Sequence, residues 1–158
     1  MKLPAAIIIT TLLTGCDLPQ TETAPDNASV GRTILDKPEI NIVTARGETL
    51  SVSCSAGGGF VYVDTKRDAS KVPPLHGVYG TFTVDGRKLP PTELGWGSQP
   101  PSAWTAHDRN PTKPLALAIA RARTVTFEAP REFDTGRPIS WRIDLDATAR
   151  RPVAEACK

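Results

Sequence analysis

Much of the chain between residues 38 and 146 alternates apolar and polar residues with a period of two, and this restricts the fold more than any other feature. Successive side chains of a strand point to opposite faces, so such runs bury one face and wet the other. Ile139, Trp141, Ile143 and Leu145 alternate with Ser140, Arg142, Asp144 and Asp146, the cleanest such run. Leu50, Val52 and Cys54 face one way between residues 48 and 54, with Thr49, Ser51 and Ser53 opposite. Gly57, Gly58 and Gly59 interrupt the pattern before residues 60–64 resume it, which predicts an antiparallel hairpin. These glycines read as a permissive turn, since no Gly-Lys-Ser/Thr follows at phosphate-loop spacing. Residues 40–44 form a further short β-rich run. Val78, Phe82 and Val84 lie on one side of the next run, and Tyr79, Thr81 and Thr83 on the other. Asp85-Gly86 then suits a two-residue type I′ turn into a short return strand at 87–89. Val125 and Phe127, between Thr124, Thr126 and Glu128, mark one more strand.

Two stretches break the alternation. Residues 65–77 read as a charged loop containing Pro73-Pro74, and residues 90–111 as a long proline-rich loop carrying Trp96 and Trp104. Loops of that length within a compact domain are often functional or mobile. The period then changes: Pro114 suits a first helical turn, and Leu115, Ala118, Ile119 and Ala122 fall at i, i+3, i+4 and i+7. One short helix is therefore expected near 113–122, with room for one helical turn in the tail before Cys157. The fold class is α+β, mainly β: a small antiparallel sheet or sandwich of about six to seven strands with that helix.

The N-terminus carries a different signal. Lys2 precedes an apolar stretch from Leu3 to Leu13, shorter than the roughly 20 residues that a membrane-spanning helix needs. A short apolar segment behind a positive start reads as a secretory signal. It ends in Leu13-Thr14-Gly15-Cys16, which resembles the lipobox of bacterial lipoproteins. The resemblance implies cleavage between Gly15 and Cys16 and lipid on Cys16, so that the partner of the N-terminus is the bilayer. Two or more acyl chains give stable anchoring where one does not. Asp17 resembles an inner-membrane retention signal, which favours the outer face of the inner membrane over the outer membrane. Three segments follow: a signal at 1–15, a lipidated, polar and flexible tether at 16–37, and a single periplasmic domain at 38–158.

With Cys16 assigned to lipid, Cys54 and Cys157 remain, and in an oxidising compartment they read as one disulfide stapling the C-terminus. A metal or redox pair is the competing reading, without CxxC spacing to support it. The chain has 19 Lys and Arg against 17 Asp and Glu; losing Lys2 leaves 18 basic residues. A near-neutral surface argues against a nucleic-acid partner, which requires a clustered basic patch. The tryptophan loop, short helix, two strands and terminal cysteine are similar in order to the VasI-like accessory proteins of type VI secretion. The matching pieces are Leu50 to Cys54, Trp104, Pro114 to Thr126, Ile139 to Leu145 and Cys157.

Candidates for chemistry are few. His76 and His107 both sit in polar, proline-rich loops, with Asp108 and Arg109 beside His107. There is no Gly-x-Ser-x-Gly elbow and no His-Glu-x-x-His zinc motif. Asp144 and Asp146 share a strand face and read as its wet side. Arg121, Arg123, Arg142, Arg150 and Arg151 read as scattered surface pairs with neighbouring acids rather than a patch. No catalytic residue, metal ligand or cofactor is assigned, and a non-enzymatic, protein-binding role in immunity, inhibition or an envelope or secretion accessory is expected, the alternative being a small-ligand or cell-wall-binding module or a weak hydrolase using His107. Its candidate contacts are Trp96, Trp104 and Tyr79, with core packing of the two tryptophans the competing reading.

Overall fold

The computed structural model describes residues 26–67, 78–96, 103–106, 112–129 and 136–158. The first four strands, β1 (Asn27–Arg32), β2 (Pro38–Val43), β3 (Thr49–Ser55) and β4 (Gly58–Asp64), form an antiparallel meander. β5 (Val78–Val84) turns through Asp85 and Gly86 into β6 (Arg87–Lys88). Both turn residues have positive φ, 46° and 79°, as a type I′ turn requires. β7 (Thr92–Trp96) and β8 (Ala103–Ala106) follow, then α1 (Thr112–Arg121), β9 (Thr124–Glu128), β10 (Ile139–Arg142) and α2 (Ala147–Ala156).

The strands join in the order β1-β2-β3-β4-β8-β7-β5-β9-β10, all antiparallel, with β6 beside β5. The sheet curls until its ends nearly meet. Asp26, just ahead of β1, accepts the Arg142 N–H of β10 on Oδ2 at 2.6 Å. Trp141 Nε1 donates to the Glu48 carbonyl at 3.2 Å, tying β10 to the β2–β3 turn.

The alternation explains the curl. Strand register places Ile40 opposite Val52, Ile42 opposite Leu50, Phe82 opposite Phe127, and Val125 opposite Trp141, and all eight are buried. They share one continuous face, and the two helices lie on it: α1 against β3 and β4, α2 against β2 and β3, each helix touching the other. The opposite face is polar, with hydroxyl pairs such as Thr126–Ser140 at 2.8 Å. Gly59 lets α1 approach β4, because a Cβ there would lie 2.6 Å from the Thr112 carbonyl oxygen. The Thr112 hydroxyl donates to Gly59 O at 2.9 Å across the same contact.

Cys54 of β3 is bonded to Cys157 at the end of α2, with Cα atoms 5.1 Å apart and both residues buried. The bridge spans 103 positions, a closed loop whose lost unfolded-state entropy corresponds to about 4–5 kcal/mol. Asp146 caps α2 by accepting Ala149 N–H at 2.7 Å, and Arg150 donates to the Ala122 carbonyl beyond α1. Both helix ends thereby gain partners for backbone groups that the helices leave unpaired.

The mainly β, antiparallel reading and the stapled C-terminus are seen, but the expected six to seven strands become ten among the described residues. Three strands were not expected. β1 falls inside the stretch 16–37 read as tether, so the folded part begins ahead of Pro38. All its side chains except Ala28 are exposed, so it carries no apolar alternation, and backbone pairing with β2 defines it. β7 and β8 fall within the stretch 90–111 read as a loop. The single expected helix, near 113–122, is α1; the tail read as one turn is the ten-residue α2. Pro152 removes one N–H from α2, while the Asp146 cap, buried Val153 and the Cys157 bridge hold it.

Candidate functional site

A groove of about 450 Å³ opens where the β6–β7 connection meets α1. Several local rules build it. The Asp85-Gly86 turn sends β6 back along β5, and Leu89 N–H then bonds Phe82 O at 2.8 Å, which fixes where the connection leaves. Pro90 and Pro91 follow with φ locked by their rings, so this wall is stiff. β7 returns alongside β5, with Glu93 opposite Tyr79 and Thr92 opposite Gly80. The other wall is the first two turns of α1, through Pro114, Leu115 and Ala118.

Tyr79 stands at this groove and is 54% exposed, an uncommon degree for an aromatic ring beside apolar surface. Arg87 and Glu93 add one charge of each sign to the lining. Aliphatic and proline surface with one tyrosine and a few charges suits recognition of an apolar group with polar edges. The turn under this wall is pinned from outside. Asp85 Oδ1 accepts the N–H groups of Arg123 and Thr124, both at 2.8 Å. The Thr124 bond, the largest effect, holds the Asp85 carboxyl below its ordinary pKa; burial opposes it, and the Arg123 bond adds to the lowering.

The other sequence candidates are distributed differently. Trp104 is 1% exposed, its ring within the core, so of its two readings the structure takes the packed one. Trp96 ends β7 with its backbone opposite Trp104. Cys54 and Cys157 form the bridge. Asp144 pairs with Arg142 at 3.0 Å and Asp146 caps α2, so these two carboxylates serve separate local roles. Arg142 and Arg150 likewise have acidic or carbonyl partners. Gly15, Cys16, His76, His107, Asp108 and Arg109 lie outside the described residues. Among the described residues, no three His, Cys, Asp or Glu side chains gather as a metal site would need, and no helix is long and apolar enough to cross a membrane.

Sequence reasoning found Tyr79 through its place on the outer side of β5. It missed Leu89, Pro90, Pro91 and the Pro114–Ala118 wall as parts of one surface. The available signal was the stiff Pro90-Pro91 pair directly after a hairpin. Compared with protein-family models, with curated proteins and with solved structures, the chain matches none.

Proposed function

We propose that this chain is a lipid-tethered envelope protein whose domain binds a protein partner, without catalysis, through the groove at Tyr79. The observation that carries the proposal is an exposed tyrosine set into a stiff apolar groove of about 450 Å³. The occupant is a short extended segment of the partner that presents aliphatic or proline side chains. Such a segment meets apolar walls at Pro90, Pro91, Leu115 and Ala118, and the Tyr79 hydroxyl and Arg87 at the polar rim. Walls fixed by prolines and strand pairing are already ordered, so little conformational freedom is lost on binding. The roles that fit are immunity, inhibition, or an accessory part in an envelope or secretion machine. Lipid on Cys16 supplies the location, on the periplasmic side of the membrane.

The test is site-specific photocrosslinking in the native envelope. A crosslinker replacing Tyr79 should give a discrete protein adduct that one replacing Ser140, exposed on β10, does not. Ala118→Arg, which fills the groove from α1, should abolish that adduct while leaving the unfolding midpoint close to that of the parent. An adduct shared by positions 79 and 140, or none at 79, overturns the proposal. A second reading rests on groove size: small-molecule sites span about 300–1,000 Å³, and 450 Å³ falls within that range. A small molecule retained by the purified protein in native mass spectrometry, and released by Ala118→Arg, would favour that reading instead.

A further inference from the structure

The β1–β2 hairpin ends in a turn that presents its largest apolar side chains to solvent. Ile34 is fully exposed and Leu35 is 74% exposed, although neither lies beside the groove. Adjacent exposed aliphatic residues at a turn are unusual, because turns favour small and polar residues. The turn is nonetheless well tied. Thr33 N–H bonds Lys37 O at 2.8 Å, and Asp36 N–H bonds Thr33 O at 2.9 Å. The Thr33 hydroxyl oxygen accepts the N–H groups of Leu35 at 3.2 Å and Lys37 at 3.1 Å. Arg32 pairs with Asp36 at 2.9 Å and also reaches its carbonyl, so the one acidic group at the tip is neutralised. Lys37 leaves a net positive charge beside the aliphatic pair.

We infer that this hairpin tip is a second membrane contact, with Ile34 and Leu35 entering the lipid interface and Lys37 meeting anionic headgroups. The inference rests on the reading of Cys16 as the lipidated residue. Three observations select lipid over a protein surface. First, the backbone N–H groups of Thr33, Leu35, Asp36 and Lys37 are satisfied inside the tip, which lowers the cost of bringing its backbone to the lipid interface. Second, an aliphatic pair flanked by cationic residues is the composition of interfacial membrane contacts. Third, the reach closes. Cys16 to Asp26 is ten residues, at most about 33–36 Å of extended chain. The hairpin runs eight residues on from Asp26 to Ile34, about 26 Å at strand rise. The chain length therefore allows Cys16 and the tip to meet the same bilayer.

The experiment uses the full chain, lipidated at Cys16, in vesicles of phosphatidylethanolamine and phosphatidylglycerol. A fluorophore is attached at Leu35→Cys or, as a control at the opposite end of β2, at the exposed Arg46→Cys in the β2–β3 turn. Lipid-borne quenchers should reduce the signal from position 35 at least about twofold more than that from position 46, as shallow insertion predicts. Ile34→Asp in the position-35 protein should remove the difference without shifting the unfolding midpoint, because Ile34 touches no core. Vesicle flotation with equal, weak quenching at both positions leaves the lipid anchor standing and overturns the tip contact. Strong quenching at both overturns it too, since the domain then lies flat. Shielding of position 35 from an aqueous quencher in native envelopes, but not in vesicles, assigns the tip to a protein and also overturns it. Failure to float, with no lipid found on Cys16, removes the anchor and the inference together.

Discussion

Two buried tryptophans differ in one hydrogen bond, and this should set how each tolerates change. Trp141 Nε1 donates to Glu48 O, whereas Trp104 Nε1 meets no acceptor among the described residues. Replacing either with phenylalanine removes a similar volume. At position 141 it also removes a bond that ties β10 to the β2–β3 turn; at 104 it removes an N–H that burial already penalises. Trp141→Phe should therefore cost about 1–2 kcal/mol more than Trp104→Phe in urea unfolding. Equal costs would show that the bond contributes nothing net. Asp85 gives a pH-dependent counterpart. Hydrogen bonds from Thr124 and Arg123 depress its folded pKa, so its contribution is present above the unfolded value and is lost as pH falls through the folded one. Stability of the parent should decline below about pH 4, where an unperturbed Asp titrates, more steeply than that of Asp85→Asn. Asparagine keeps the left-handed turn but cannot ionise. Because Asp85 is exposed, solvent screens the effect, and the two acid-unfolding curves should differ only modestly.

Among the elements, the disulfide has the clearest energetic role, because α2 buries little of its own surface. Its buried residue is Val153, and Cys157 follows immediately after the helix. Replacing both Cys54 and Cys157 with serine should cost about 2–5 kcal/mol. Faster amide exchange should appear first in α2, and uniform exchange across the domain would show that the bridge does not act through that helix. How well the elements could be read from sequence follows the same logic of burial. β3, β5, β9 and β10 each place an alternating apolar set in the core, so their alternation is visible in the chain. β1 buries almost nothing, and the two-sided burial of Ser51 and Ser53 on β3 depends on neighbours that the sequence does not reveal. α2 was hidden by Pro152 and by Arg150-Arg151, which dilute its apolar stripe. Of the groove, Tyr79 was legible because its strand alternates. The rest was not, since Pro90-Pro91 and Pro114 lie over 20 residues apart and meet only when β7 returns beside β5.

For the whole molecule, a single curled sheet around two helices separates three surfaces: the groove near α1, the β1–β2 tip, and the seam where β1 meets β10. The seam is held by the Asp26 carboxylate on Arg142 N–H. Asp26→Ala should speed amide exchange at Arg142 and cost about 1 kcal/mol, while leaving β2 and β3 protected. Unchanged exchange at Arg142 would mean that other contacts hold the ends together. Asp26 is also the first described residue, so among the described residues it is the first group to feel a load applied from the N-terminal side. Parting it breaks one side-chain bond, whereas stripping β1 from β2 must break a six-residue ladder. Because the side chains of β1 are exposed, even its complete release uncovers little of the core, and β2 stays under α2. Under tension the domain would yield in stages, opening at the seam and paying out the first strand before the core is breached. It would thus behave as a short extensible leader attached to a resistant body.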